Sequence, residues 1–158
     1  MTGKIAVGGI TRTDDLVLLR VIGARQGVRF AGRTLDLLGK AGINIVVCAL
    51  FGDDDNRQSM ALAINVKDLD QALGLLQGIR EEIGAERMEV RRRCTAIAVY
   101  GPQFSSSPAI GGRIFETTDQ HGIEVHLIST SFTTVAFLVD TDSAETALNG
   151  LHETFLAP

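Results

Sequence analysis

Residues 31–47 read AGRTLDLLGKAGINIVV, and residues 111–127 read GGRIFETTDQHGIEVHL. The two stretches align at a constant offset of 80 residues without a gap, so that a Gly-Arg pair and a Gly-Ile pair coincide. Each stretch begins with a helix-like spacing of apolar residues, reaches a glycine and continues into a strand-like run. Because the matches fall at equivalent structural points, they indicate an internal repeat in which one supersecondary unit occurs twice.

Around the first copy, the apolar spacing predicts four strands and two helices in the order β-α-β-β-α-β. The predicted strands are Asp15–Gly23, Ile43–Phe51, Gln58–Val66 and Met88–Arg92, and the first predicted helix is Phe30–Ala41. Asp68 and Gln71 have the spacing of a capping box at the start of the second helix, and Gly84 ends that helix. This order of elements is typical of ferredoxin-like folds.

Around the second copy the same order is predicted, but no closing strand follows. The predicted strands are Thr95–Gly101, Ile123–Thr130 and Thr133–Asp140, and the predicted helices are Pro108–Gln120 and one that opens at Asp142 with Glu145 as its capping partner. The apolar stretch Lys4–Ile10, which the first copy does not need, can supply the missing strand. The sequence therefore predicts an α+β fold with two ferredoxin-like βαββαβ domains. The first domain (residues 14–92) is expected to be inserted into the second (residues 3–12 and 93–156).

The composition excludes several classes of protein. The chain has 158 residues, of which 45% are hydrophobic and 22% charged, and its formal net charge is −4. A nucleic-acid-binding protein needs a basic field and often stacking aromatics, whereas this chain is acidic, has 5% aromatic residues and contains no Trp. No apolar run reaches the roughly 18 residues of a membrane span, and no signal-peptide pattern opens the chain. We therefore expect a cytoplasmic protein that binds neither nucleic acid nor membrane.

The search for catalytic or metal-binding residues finds no recognisable constellation. His121, His126 and His152 have no cysteine or carboxylate at the spacing of zinc ligands, so we expect them to be structural or solvated. Asp53–Asp55 is expected to form a solvated hairpin turn rather than a cation site. Ser105–Ser107 is expected to order a loop and cap a helix, because no base is identified beside it. The sequence thus predicts no catalytic residue, no metal ion and no cofactor.

Several short strings resemble one protein family. They are AGINI (41–45), SSSPAIGGRIF (105–115), LISTS (127–131) and LHETF (151–155). With these strings and the repeat, the chain resembles the C-terminal regulatory region of aspartokinases, which is a tandem pair of ACT domains. The similarity extends from Lys4 to Phe155. In this family the first ACT domain is inserted into the second, as the strand count above also requires.

The resemblance implies a regulatory site. In such pairs a free amino acid, usually lysine or threonine, binds between ACT domains and contacts the loop after the first strand and the start of the second. Carried onto this sequence, the implied ligand-binding residues are Gly23, Gln26, Gly27, Val28, Asn44, Ile45, Ser129, Thr130 and Ser131. The corresponding positions of the second copy also include Gln103–Pro108 and Glu124.

Two departures from the family bear on the ligand. The loop from Gly23 to Gly27 lacks the aspartate usual in the family, and the next strand is apolar from Val46 to Leu50. A buried ammonium side chain would need a paired carboxylate. A small neutral or apolar amino acid is therefore expected to fit better than lysine.

Together these observations predict a regulatory module without catalytic activity, because no residues correspond to the kinase domain of the family. We expect a homodimer whose ACT sheets or helices meet side by side, with a kinase-like catalytic subunit as a possible partner. One alternative is a structural or assembly module that binds a partner protein and no ligand. Another is an unrecognised enzyme, because ferredoxin-like scaffolds support many functions.

Overall fold

Strands and helices alternate along the chain in a mixed α+β fold. The computed structural model describes residues 3–25, 29–53 and 55–158. The strands are β1 (Ile5–Ala6), β2 (Gly9–Arg25), β3 (Ile45–Gly52), β4 (Arg57–Asn65), β5 (Arg87–Tyr100), β6 (Val125–Thr130), β7 (Thr134–Asp140) and β8 (Phe155–Leu156). The helices are α1 (Phe30–Lys40), α2 (Leu69–Gly78), α3 (Arg80–Ile83), α4 (Ala109–Gln120) and α5 (Thr141–Thr154), with 3₁₀ turns at Val66–Asp68 and Pro102–Ser105.

The described residues form two compact units. The central unit is Asp15–Arg92, and the terminal unit consists of Arg93–Pro158 together with Asp14 and the described residues before it. The boundaries fall within β2 and β5, so each of these long strands contributes residues to both units. Asp15 (φ 58°) and Arg93 (φ 57°) lie at the boundaries and have a left-handed backbone, which is uncommon for residues other than glycine.

The sheet of the central unit has the strand order β3-β4-β2-β5. Strand β4 is antiparallel to both of its neighbours, and Leu62 lies opposite Leu19 on one side and Cys48 on the other. Helices α1 and α2 pack against this sheet. The core between them includes Val17, Leu19, Phe30, Leu38, Ile64 and Leu76, each at most 2% exposed. This strand order is that of a ferredoxin-like unit.

The terminal unit repeats this order as β2-β5-β7-β6. Just before β2, Gly8 donates its N–H to the carbonyl oxygen of Tyr100 at the end of β5 (2.7 Å). Helices α4 and α5 pack against this sheet over a core of Ile97, Val99, Ile114, Phe137, Ala147 and Leu151, each at most 1% exposed. The strand beside β5 thus comes from a segment that precedes the central unit in the chain.

The N-terminal segment differs in detail from the predicted strand Lys4–Ile10. Ile5–Ala6 forms the short strand β1, which pairs in parallel with β8, and the strand beside β5 begins at Gly9. A Cβ atom at Gly9 would lie 2.4 Å from the hydroxyl oxygen of Tyr100. A side chain at Gly9 would therefore displace the Tyr100 ring, and glycine lets the ring lie against the backbone where the strand begins.

Two strands are longer than predicted. Strand β5 covers Arg87–Tyr100, where the sequence predicted two separate strands, Met88–Arg92 and Thr95–Gly101. No glycine or proline interrupts this stretch, so pairing continues through it, with Arg93 as its left-handed residue. Strand β2 likewise extends the predicted strand Asp15–Gly23 at both ends.

Both predicted capping boxes are wrong. Asp68 makes no side-chain hydrogen bond to a described N–H at the start of α2. Asn65 instead accepts the N–H of Lys67 (3.0 Å) and begins a 3₁₀ turn ahead of that helix. Asp142 lies inside α5, where its carboxylate accepts a hydrogen bond from Arg93 (2.6 Å). Asp68 does hold the predicted N-cap position of α2, but without the capping hydrogen bond, whereas α5 begins at Thr141, one residue before Asp142.

The carboxylate of Asp14 is predicted to make the stability of the terminal unit depend on pH. Its Oδ1 accepts hydrogen bonds from the Thr95 hydroxyl (2.8 Å) and from Nε of Arg12 (2.9 Å), and these bonds, that from Thr95 first, lower the pKa of Asp14 below its ordinary 3.8. Asp14 therefore stabilises the folded state above pH 3.8, and this contribution is lost as the pH falls through the lowered pKa.

Urea unfolding should show that Asp14→Asn is less stable than the natural chain at about pH 7 and loses less stability on acidification to about pH 3. The exposed Asp119→Asn serves as control; equal acid sensitivity in Asp14→Asn and the natural chain would contradict the assignment.

Candidate functional site

A cavity of about 250 Å³ lies in the terminal unit between the start of α4 and the turn that joins β6 to β7. Its lining residues are Phe104, Ser107, Pro108, Gly111, Thr130, Ser131, Phe132 and Val135. None of these side chains is charged. The cavity therefore combines apolar walls with hydroxyl and backbone groups, which suits a small molecule that is neutral overall.

The first wall of this cavity is built by the loop before α4. Ser105 donates its hydroxyl to the carbonyl of Pro102 (3.0 Å) and Ser106 donates to that of Gln103 (3.1 Å), so the predicted loop-ordering role of these serines is confirmed. The predicted capping of the helix by a serine is wrong, because no side chain of the described residues caps α4. Pro108 occupies the N-cap position of α4 and has no side-chain oxygen with which to cap the helix. The N–H of Ile110 already donates to the carbonyl of Ser107 (3.1 Å), so an anionic group of a ligand would depend on the other N–H groups of the first turn of α4.

The second wall comes from the end of β6 and the turn that follows. Ser131 Oγ accepts hydrogen bonds from the backbone N–H groups of Thr133 (3.3 Å) and Thr134 (3.1 Å), which fixes the turn. Phe132, at the tip, is 85% exposed. Of the predicted ligand-binding residues in this unit, Thr130 and Ser131 line the cavity, whereas Ser129 on β6 does not.

In the central unit, Gly23 shapes the end of β2. Its N–H donates to Ser59 Oγ (3.1 Å), and its carbonyl accepts from Nη1 of Arg57 (2.6 Å). Its φ of 68° favours glycine, and a Cβ there would lie 2.7 Å from the side chain of Glu86. Both backbone polar groups of Gly23 are thus used within the protein.

The other predicted residues of the central unit follow Gly23 in the chain. Gln26, Gly27 and Val28 lie outside the described residues. Asn44 is exposed and directly precedes β3, one residue before the strand on which the sequence analysis placed it. Ile45 begins β3 and packs, half-buried, against the core of the unit. Asn44 and Ile45 lie at the other end of the sheet from Gly23, because Ile45 pairs with Ile64 beside Val17, whereas Gly23 lies between the pairs Val21–Met60 and Ala24–Gln58. The central unit therefore does not bring Gly23 and Asn44 together, although the sequence analysis grouped them.

A second, more polar cavity lies beside the end of β2 in the central unit. It measures about 530 Å³ and is lined by Arg25, Arg80, Glu81, Gly84 and Ala85. Arg80 uses its guanidinium to bind the carbonyl of Ala85 (3.4 Å), so part of this charge already serves the loop after α3. The two copies of the repeat thus differ in chemistry at this end of the sheet.

Glu124, His126 and Asp140 meet at the opposite end of the β6–β7 hairpin from the first cavity. His126 Nε2 lies 3.1 Å from Asp140 Oδ1, and His126 Nδ1 lies 3.9 Å from Glu124 Oε1. The sequence analysis missed this cluster because it looked for ligand spacing along the chain. The cross-strand register, which pairs Val125 with Val139, brings the three together.

The two cysteines, Cys48 and Cys94, are both free thiols. Cys94 is buried, and partial burial raises the pKa of the Cys48 thiol. A raised pKa lowers the fraction of reactive thiolate at neutral pH. Both cysteines therefore have the character of packing residues.

No helix within residues 3–25, 29–53 and 55–158 is long and apolar enough to cross a membrane.

Comparison with known proteins supports the resemblance that the strings predicted. Residues 97–155 match the ACT domain family. The aspartokinase of Thermus thermophilus is 25% identical over 152 residues, which are 95% of this chain and 37% of that protein. This chain thus spans little more than a third of the length of that relative. The predicted resemblance to ACT domains and to the aspartokinase regulatory region is confirmed.

Two solved structures share the fold. The ligand-free regulatory subunit of aspartate kinase from Thermus thermophilus superposes with a TM-score of 0.86 at 23% identity, covering 96% of this chain and 99% of that one. A structure of aspartokinase alpha and beta subunits gives a TM-score of 0.83 at 24% identity, covering 94% and 98%. The arrangement of strands and helices described above therefore occurs in both structures.

Proposed function

We propose that this chain is a regulatory module without catalytic activity, of the kind found in aspartokinases, in which two ACT domains sense a small amino acid. The terminal unit contains the residues that match the ACT family, and the central unit has the same strand order. On this proposal the first ACT domain (14–92) is inserted into the second (3–12 and 93–156), and the module works in the cytoplasm.

The observation that carries this proposal is the uncharged cavity of about 250 Å³ at the start of α4. Ligand pockets for drug-sized molecules measure roughly 300–1,000 Å³, so this cavity suits a smaller molecule. The carboxylate of an amino acid would lie at the N–H groups of the first turn of α4. Its ammonium would face the hydroxyl oxygen of Thr130, because Ser131 Oγ already accepts two backbone N–H groups, and its side chain would lie against Phe104 and Val135.

A second site would lie at an interface between two ACT domains, with Gly23 and Gln26–Val28 from one domain and Asn44 and Ile45 from its neighbour, because one central unit holds Gly23 and Asn44 at opposite ends of its sheet. The Asn44 amide can donate to a carboxylate and accept from an ammonium group. Because both backbone groups of Gly23 are already bonded, this glycine would shape the loop rather than bind the ligand directly.

The lining of the terminal cavity favours a neutral ligand side chain. Lysine would bring an ammonium group among Phe104, Phe132 and Val135, where no carboxylate lines the cavity. An unpaired charge in such surroundings is costly. A small neutral or apolar amino acid meets no such cost, which is the same preference that the sequence of the central loop predicted.

A thermal-shift screen of the twenty amino acids tests the proposal. A ligand that binds only the folded state stabilises it by roughly 2.7 kcal/mol at a hundredfold excess over Kd. We expect one or a few small neutral amino acids to raise the melting temperature, and lysine to have little effect. Absence of any shift, with co-purification of a kinase-like chain, would instead favour the ligand-free assembly module.

Homodimer formation is a further expectation, supported by apolar side chains on the edge strands. Strands β3 and β6 lie at the ends of the strand order, and Phe51 on β3 (56%) and Ile128 on β6 (44%) are exposed. Such edges are commonly covered by association. Light scattering at micromolar concentration should give twice the 16.9 kDa of one chain, and Phe51→Lys or Ile128→Lys should reduce this mass. A monomer of the natural chain would contradict the prediction.

The solved alpha and beta subunits of aspartokinase suggest a second kind of partner. We propose that this module also associates with a kinase-like catalytic chain, whose activity the bound amino acid would alter.

A further inference from the structure

Glu124, His126 and Asp140 bring one imidazole and two carboxylates to a single point of the terminal unit. One donor atom from each residue lies within 4.8 Å of the donor atoms of the other two. We propose that these three residues bind a divalent transition-metal ion of the zinc type. This site is separate from the amino-acid cavity and does not depend on the regulatory function proposed above.

The backbone of β6 holds the imidazole in place. His126 is the extra residue of a β-bulge, because Val125 pairs with Val139 while Leu127 pairs with Leu138. A bulge redirects a side chain out of the regular alternation of a strand. The His126 side chain is only 2% exposed. The ring therefore has a fixed direction toward Asp140.

The side chain of Asp140 contacts His126 and does not cap helix α5. It occupies the N-cap position of α5 with φ −64° and ψ 140°, and Asn65 holds the equivalent position of the central unit with φ −65° and ψ 140°. Asn65 caps its helical turn by accepting the N–H of Lys67. Asp140 makes no side-chain hydrogen bond to the described N–H groups of α5, although Asp is among the best N-cap residues. The carboxylate of Asp140 is therefore held by contacts other than the helix N-terminus, and the contact with His126 is one of them.

The central unit supplies an internal comparison for the other two positions. At the offset of 80 residues, Asn44 and Val46 correspond to Glu124 and His126. The same bulge occurs at Val46, whose side chain is 43% exposed. The fold of the repeat thus requires neither an imidazole nor carboxylates here, and the three donors belong to the terminal copy alone.

The donor set selects the class of ion. Neutral imidazole and carboxylates are ordinary zinc ligands, and ligand atoms around a tetrahedral zinc ion lie about 3.3 Å apart. The 3.1 Å between His126 Nε2 and Asp140 Oδ1 is already close to this spacing. Glu124 Oε1 lies 3.9 Å from Nδ1, the other nitrogen of the ring, so its side chain, which is 75% exposed, would have to turn toward Nε2 to reach an ion held by His126 and Asp140. Calcium and magnesium prefer six or more oxygen ligands, so a nitrogen-containing set of three disfavours them.

Titration of the full chain with Zn²⁺, followed by isothermal calorimetry, tests the proposal. We expect one ion per chain and a Kd that rises at least about 100-fold in His126→Gln and in Asp140→Asn, because loss of a ligand should exceed the 10- to 100-fold effect of outer-shell partners. His152→Gln makes the same change at an exposed histidine outside the cluster and should bind Zn²⁺ like the natural chain.

Two further measurements keep the result decisive. Glu124→Gln changes an exposed side chain without endangering the fold, and it should weaken Zn²⁺ binding at least about tenfold. Co²⁺ bound in place of Zn²⁺ should show no thiolate charge-transfer band. The proposal is overturned if the natural chain does not bind Zn²⁺, if Glu124→Gln and His126→Gln bind as well as the natural chain, or if a thiolate band places the ion at a cysteine.

Discussion

Deletion of Met1–Thr11 is expected to destabilise the terminal unit much more than the central unit. Val7 is 3% exposed within the terminal core, and its N–H donates to the carbonyl of Leu156 (3.0 Å). Burial of one valine side chain contributes about 1.5–3 kcal/mol, and each lost hydrogen bond about 1 kcal/mol. The free energy of unfolding of a protein is roughly 5–15 kcal/mol, so these losses are large. They affect the terminal unit only.

Hydrogen exchange, measured separately in the two units, shows which unit the deletion destabilises. We expect faster exchange of the amides of Ile123–Asp140 and of α5 in the deleted chain, with little change in β3 and β4. In the full-length chain, Val7→Asp should reproduce the effect, and Val66→Asp, at a valine that is 43% exposed in the central unit, serves as its control. Unchanged exchange in Ile123–Asp140 after the deletion would show that the proposed insertion is wrong.

The regular elements could be predicted because their signals are local. The apolar spacing placed α1 at Phe30–Ala41, and it spans Phe30–Lys40; Gly42 follows with the positive φ (74°) that a helix stop requires. The union of two predicted strands into β5 was not predictable in this way. It depends on partners elsewhere in the chain, since Cys94 and its neighbours pair with β7.

The candidate sites were predictable only in part, because they depend on how turns and bulges aim side chains. The family strings pointed to Thr130 and Ser131, which line the terminal cavity. Phe132 was not among the predicted residues, and its position depends on the turn that Ser131 fixes through two backbone N–H groups. The approach of Asp140 to His126 follows from one inserted residue in β6. In a strand that alternated strictly, the His126 side chain would point in a different direction.

Substitution of Gly111 by leucine is expected to abolish amino-acid binding in the terminal cavity without loss of stability. Gly111 lines the cavity, and no atom lies within 4 Å of a Cβ built there, so the new side chain has room to enter the space of the ligand. Leucine also favours a helix over glycine by roughly 0.8–1 kcal/mol. The thermal stabilisation by ligand, roughly 2.7 kcal/mol at a hundredfold excess over Kd, should therefore disappear while the unliganded protein melts no lower.

Gly112→Leu is the matched control, because Gly112 is the next residue of α4, is exposed and does not line the cavity. It should keep the full ligand-induced shift. Asn44→Ala reports on the central unit, and if both copies bind, it should reduce the shift while leaving the unliganded chain folded. A shift that survives Gly111→Leu but is lost in Asn44→Ala would assign the ligand to the central unit alone. A result in which lysine alone stabilises the protein, equally in Gly111→Leu, Asn44→Ala and the natural chain, would contradict both proposed sites. It would also contradict the argument from their uncharged lining, because lysine would then bind beside a carboxylate elsewhere.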